Sequence, residues 1–187
     1  MIEKIAAGIA EGWIKKKMIN TFDKEIYEYG IILTFEYMAS LFTTVLIAFL
    51  TQEIPVCIVF YISFASLRSY AGGIHAKNFF RCYIYSTLII LMSLLMIRFN
   101  IFDILLYRIV YAFSFVYLLK SQPIDSENKR VDDEEKKIFG MRKRKILIIM
   151  SALVLLCIGF DFGDLEKALE SAVITVFLCC VLCKGNT

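Results

Sequence analysis

One histidine, one tryptophan and two prolines stand among 187 residues. With His75 the sole imidazole, a mixed cysteine–histidine zinc site has little to build on. No Cys-x-x-Cys pair is joined to a histidine at ligand spacing. Cys180 and Cys183 form a C-x-x-C, but inside an apolar terminal run and without a second ligand pair. No metal and no other cofactor is expected. The N-terminal stretch lacks the basic start, short apolar run and small-residue cleavage site of a signal peptide. The first membrane span is therefore expected to act as the insertion signal. There is no room for a second globular domain, so residues 1–187 are expected to form one membrane-embedded unit. No GxxxG-type seam lies within the expected spans, and homodimerisation rests only on their small and aromatic faces. Charge of one sign is not in large excess, the net charge being +3. The basic residues sit beside hydrophobic runs, where they act as topology signals, so nucleic acid is not an expected partner.

What the chain has in abundance is apolar surface. The hydrophobic fraction is 59% and the mean hydropathy +0.67, against about 45–50% apolar for a soluble domain. The excess falls in runs long enough to cross a bilayer. The expected fold is all-α: a polytopic integral membrane protein of about six transmembrane helices, with four spans and two re-entrant pieces as the alternative. Residues 1–22 are amphipathic. Ile2, Ile5, Ala6, Ile9 and Trp13 share a helical face and Lys15, Lys16 and Lys17 follow. That pattern suits a helix lying in the lipid interface, with tryptophan at headgroup level; a plain soluble cap helix is the alternative.

The spans are expected at about Tyr29–Leu50, Ile54–Leu67, Tyr83–Ile97, Ile101–Leu119, Ile146–Phe160 and Ala168–Cys183. The second is short for a crossing of roughly 20 residues; it either runs on into the Arg68 segment or is partly re-entrant. The first carries Glu36, and an intramembrane acid turns toward the protein interior or water. Asp103 and Arg108 lie within the fourth, five residues apart. That is a poor spacing for pairing on one helix, so each should find a partner on another helix or reach the interface. Asp161–Glu166 reads as an acidic turn. Lys120–Lys145 holds nine Lys/Arg and six Asp/Glu and begins near Pro123. It reads as a solvated loop with a short charged helix around Asp132–Lys137.

The distribution of charge gives an orientation. Lys15–Lys17, the segment 68–81, the 120–145 loop and Lys184 are basic, and the turns at 51–53 and 161–166 are acidic or neutral; Arg98 alone breaks the alternation. Six spans with both ends in the cytoplasm satisfy the pattern, which puts residues 68–82 at the cytoplasmic leaflet.

That segment carries the chemistry. It reads Arg68-Ser-Tyr-Ala-Gly-Gly-Ile-His-Ala-Lys-Asn-Phe-Phe-Arg-Cys82. Five of the six cysteines, Cys57, Cys157, Cys179, Cys180 and Cys183, lie in apolar runs, where a thiol packs as a small hydrophobe. Cys82 is different: Arg81 is adjacent, Lys77 is close and His75 is seven residues away. Positive charge and a nearby base favour the thiolate, the form that attacks a carbonyl. Seven positions on a straight helix would separate the two side chains by roughly 10 Å along the axis. Proton transfer needs about 2.6–3.2 Å. The chain is therefore expected to break or bend at Gly72-Gly73, with His75 on a loop and Cys82 opening the third span. A helix N-terminus would stabilise the thiolate and supply N–H groups for an oxyanion. An imidazole and a thiol at a membrane edge are also compatible with mere interfacial polarity and packing.

Arg68-x-x-x-Gly72-Gly73-x-His75-Ala76, with Cys82 after six intervening residues, resembles the accessory gene regulator protein B (AgrB) family of bacterial quorum-sensing membrane endopeptidases. Pro123-Ile-Asp125-Ser-Glu-Asn128-Lys129 is similar to that family's junction between fourth span and loop. The resemblance covers essentially the whole chain. It implies a bacterial, multi-pass cell-membrane thiol protease that cleaves the C-terminal tail from a small AgrD-like peptide precursor through an acyl-enzyme. An internal cysteine or serine of the peptide then closes a thiolactone or lactone pheromone. By position it implies Cys82 as nucleophile, His75 as general base, and Arg68 and Gly73 as residues that shape the site. A third, orienting residue stays open among Asn78, Glu36 and Asp125. Lys129 and Arg130, with Lys136 and Lys137, are candidates to meet an acidic substrate tail, on charge alone. The competing function is a small transporter or peptide-export component with Glu36, Asp103 and Arg108 lining a polar path; a scaffold without chemistry is the third.

Overall fold

The computed structural model describes residues 2–72, 79–99, 103–122 and 133–184, and at Cys82 it describes the helix rather than the side chain. Among the described residues there are seven α-helices and no strand: α1 (Ile2–Lys15), α2 (Lys24–Thr51), α3 (Ile54–Ala71), α4 (Phe79–Arg98), α5 (Ile104–Lys120), α6 (Asp133–Gly159) and α7 (Gly163–Lys184). Helix ends follow local chemistry. Gln52 closes α2 in the left-handed region at φ 59°, and Asp161, also at φ 59°, turns the chain from α6 into α7. Pro55 sits in the first turn of α3, where its missing N–H is no loss. Gly72 follows α3 at φ 79°, ψ −170°, a conformation open to a residue without Cβ.

The helices overrun the apolar runs. The second expected span extends through Arg68 to Ala71, so the helix has 18 residues. The charged helix expected near Asp132–Lys137 is not separate: it is the start of α6, which runs unbroken from Asp133 to Gly159. The expected solvated loop at 120–145 is therefore helical from residue 133. Glu134, Glu135, Lys136, Lys137 and Arg142 are all good helix formers, and polarity there does not mark loop. The acidic turn is also shorter than expected. α7 begins at Gly163, which puts Asp164 and Glu166 in its first turn, where the helix dipole favours acids.

α7 is the centre of the bundle and packs on α3, α4, α5 and α6. Its small residues make this close approach feasible: Ala168, Ser171, Ala172, Thr175, Cys179 and Cys180 are all buried. α2 packs on α1, α3 and α4. Its buried stripe of Ser40, Thr44 and Ala48 recurs every fourth residue. Many other α2 side chains are exposed. Phe42, Phe49, Leu105, Phe113 and Leu155 are each 64–71% exposed, an apolar exterior of the kind that marks a membrane or protein contact surface. Two helical stretches, Thr21–Thr51 and Ile54–Ala71, are long and apolar enough to cross a membrane. α1 covers the start of α2. Ala6 and Ala10 are fully buried, Trp13 meets Tyr27 edge-on at 6.0 Å, and Lys24 bonds Glu11 at 2.9 Å. Ile5 is 45% exposed and so lies off this contact face.

Candidate functional site

α2 and α3 form an antiparallel hairpin about Gln52–Glu53, and the third helix of the group, α4, returns alongside α2. Cys82 is the fourth residue of α4. It stands in the first turn, where backbone N–H groups have no intrahelical partner and the dipole favours an anion. Between it and α3 comes Gly72, outside any helix. The expected break in the chain before Cys82 is thus present at Gly72. Gly73, His75, Lys77 and Asn78 lie outside the described residues, as do Asp125, Lys129 and Arg130.

Arg68, in the last turn of α3, is 9% exposed. Its guanidinium donates through Nη1 to Ser86 Oγ at 3.0 Å and lies over the Phe64 ring at 5.5 Å. Ser86 is one helical turn beyond Cys82, on the same face of α4. The expected site-shaping residue is therefore tied directly to the helix that carries the thiol. Beside this contact is a cavity of about 20 Å³ lined by residues of α2, α3 and α4, among them Glu36, Ser40, Tyr61, Arg68 and Ser86. That is room for about one water molecule. Two further bonds hold α2 in place. Tyr61 donates its hydroxyl proton to the Tyr37 carbonyl at 2.7 Å, and the Thr43 and Tyr83 hydroxyls lie 2.7 Å apart. Tyr83 is the residue after Cys82.

Sequence reasoning missed Ser86, Tyr83, Tyr61 and Thr43. The available signal was the spacing of Cys82 and Ser86, four apart at the head of an apolar run.

Of the other charged groups expected inside the spans, Arg108 is drawn into a separate network. Arg108 donates through Nε to Glu166 Oε1 at 2.9 Å, with Nη2 at 2.8 Å from the same oxygen. Glu166 is 4% exposed. Arg108 thus finds its partner on another helix. Asp103 is exposed and immediately precedes α5. Tyr107 bonds Ser171, Tyr111 bonds Ser151 at 2.8 Å, and Ser93 bonds Thr175 at 3.0 Å. A groove of about 190 Å³ runs between α4 and α7, lined by Ile89, Met92, Ser93, Met96 and Thr175. Arg98, which broke the charge alternation, donates to the Thr51 carbonyl at 2.7 Å and lies 3.7 Å from Glu53. Its charge is balanced at the end of α2. Lys136 and Lys137 lie near the start of α6. The α3 end meets α6 through aromatic contacts: Tyr70 packs edge-on against Phe139 at 5.9 Å, with Arg142 5.8 Å from the Tyr70 ring centre.

No group of three or more potential metal ligands occurs among the described residues.

The sequence pattern of one protein family, Accessory gene regulator B, matches residues 2–183. An AgrB-like protein of Clostridium perfringens (strain SM101 / Type A) is 23% identical over 187 aligned residues, covering 95% of this chain and 87% of its own length. An AgrB-like protein 2 of Clostridium perfringens (strain 13 / Type A) is 24% identical over 144 residues, 73% of this chain and 67% of its own. No solved structure matches the chain significantly. A match that spans nearly every residue, from α1 into α7, settles the family: the chain belongs to Accessory gene regulator B.

Proposed function

We propose that the chain is a membrane cysteine endopeptidase that trims a small AgrD-like precursor and closes it into a cyclic peptide. The family is associated with accessory gene regulator systems and the processing of their quorum-sensing peptides. The observation that carries the finer reading is the position of Cys82. It stands in the first turn of α4, just beyond the helix break at Gly72, with Arg68 bonded one turn further on.

In this reading His75 takes the Cys82 thiol proton. The thiolate adds to the carbonyl carbon of the scissile peptide bond, and N–H groups of the first turn of α4 face the developing oxyanion. The intermediate collapses and the C–N bond breaks. The departing amine takes its proton from the His75 imidazolium, leaving a thioester on Cys82. An internal cysteine of the peptide then adds to that thioester, giving up its proton to His75. Collapse expels the Cys82 thiolate and yields a thiolactone; an internal serine would yield a lactone. Placement at a lipid surface limits access of water, which would otherwise hydrolyse the thioester, and keeps the two peptide ends together.

The reading includes six spans with both ends inside, α1 in the cytoplasmic interface and the site at the cytoplasmic leaflet. Lys129 and Arg130 would meet an acidic tail from the segment before α6. A transport path through Arg108 gains no support, since that side chain is engaged by Glu166.

The test is co-expression with an AgrD-like precursor peptide tagged at its C-terminus. Cys82→Ala and His75→Ala should abolish tail release while leaving the protein in the membrane. A Cys82-linked thioester should be trapped at low pH and lost to hydroxylamine. Undiminished tail release by Cys82→Ala would overturn the reading.

A further inference from the structure

The observations around Arg68 reach one residue beyond the peptidase site just described. A guanidinium that is 9% exposed inside a helix bundle must be balanced by an anion or by many acceptors. Its bond to Ser86 supplies one neutral acceptor. The α2–α3 hairpin determines what lies opposite. With the turn at Gln52–Glu53, residues near 36–37 of α2 fall level with residues near 68–69 of α3. The hydroxyls of Tyr37 and Ser69 do meet, at 3.1 Å. Glu36 is one turn before Ser40 on the stripe that continues through Thr44 and Ala48, the buried face of α2. It lines the same small cavity as Arg68 and Ser86.

We infer that Glu36 is a positioning residue for the reaction at Cys82: its carboxylate, set across the α2–α3–α4 cavity, is the counter-charge that orients Arg68 and, through Ser86, fixes the first turns of α4. The inference rests on the peptidase reading. Glu36 does not touch the peptide in this arrangement, because it acts from inside the bundle through Arg68. Its loss should therefore slow the chemistry and leave precursor binding intact. A loosened guanidinium lets α4 shift against α3, and a misplacement of about 1 Å at a reacting group costs up to about 100-fold in rate.

The experiment compares Glu36→Gln, Glu36→Asp and Cys82→Ala in the whole chain, reconstituted in vesicles with a tagged AgrD-like precursor peptide. Rates are referred to protein that survives detergent extraction as a single species. Glu36→Gln should lower kcat about 10- to 100-fold with KM within about twofold of the parent. Glu36→Asp, which keeps the charge on a shorter arm, should fall between the two. A parental kcat in Glu36→Gln overturns the inference. So does a loss of recoverable protein with normal kcat in what remains, which would make Glu36 a packing residue only. If Glu36→Gln is not recovered at all, Glu36→Asp decides: reduced kcat at constant KM supports the role, and parental kcat refutes it. Persistent cleavage by Cys82→Ala strikes the peptidase reading instead, and so separates the two failures.

Discussion

The ion pair between Arg108 and Glu166 makes an asymmetric prediction. The Glu166 side chain is 5% exposed and that of Arg108 44%. Removing either partner breaks the same bond but leaves a different orphan. Arg108→Ala strands a buried carboxylate, for which loss of a partner costs about 3–5 kcal/mol; the half-exposed partner argues for the lower end, about 3 kcal/mol. Glu166→Gln keeps an acceptor oxygen for the guanidinium and loses only the charge-assisted part of the bond, about 1 kcal/mol. A long arginine near the start of α5 can also swing toward the interface. The double variant strands no charge and should cost roughly 2 kcal/mol, well under the sum of the single changes, which gives a coupling of about 2 kcal/mol. The assay is SDS titration of the detergent-solubilised protein followed by far-UV circular dichroism, with all four proteins measured together. The reasoning fails if Arg108→Ala costs no more than Glu166→Gln, or if the two costs simply add. The same double variant should still process precursor, because the pair is structural; loss of processing with intact folding would return Arg108 to the functional residues.

Two further outcomes follow from contacts elsewhere. Glu11 is held below its ordinary value of 4.5, first by the hydrogen bond from Lys24 and then by its charge. A depressed carboxylate contributes stability that is present above 4.5 and lost as the pH falls below it through the folded-state value, so acid should loosen α1 from α2. Trp13 fluorescence should report this as a change on acidification that Glu11→Gln abolishes; an unaltered acid transition in Glu11→Gln would refute it. Lys143 is fully buried and donates to the Ser121 carbonyl at 2.6 Å and Oγ at 2.9 Å, at the C-terminal end of α5. Lys143→Met should cost about 2 kcal/mol in the same SDS titration, and Ser121→Ala less, since the carbonyl bond survives. Equal costs would contradict that account.

The helices themselves were legible because apolar runs of this length leave few alternatives, and the break at Gly72 was legible from the geometry required between His75 and Cys82. Two kinds of feature were not. The first is helix continuing into charge, as from Asp133 to Lys145: a polar run looks like loop when polarity is taken for irregularity, although Glu, Lys and Arg favour helix. The second is partnership at a distance. Glu166 meets Arg108 across 58 positions and Arg68 meets Ser86 across 18. Nothing local distinguishes such residues from solvated neighbours. Spacing could have pointed to Ser86, at one turn from Cys82, and the run of small residues in α7 could have marked that helix as the core. Both signals are weak until a neighbouring helix is specified.

The central place of α7 has a consequence for biogenesis. The helix around which the others assemble is the last of the seven to leave the ribosome. Until it arrives, Arg108 lacks the Glu166 carboxylate and the faces of α3, α4, α5 and α6 that pack on α7 stay uncovered. The nascent protein must therefore wait with its seams open. A chain cut short before residue 163 should be recognised by membrane quality-control proteases as unfinished, even though every residue of the His75–Cys82 segment has already been made.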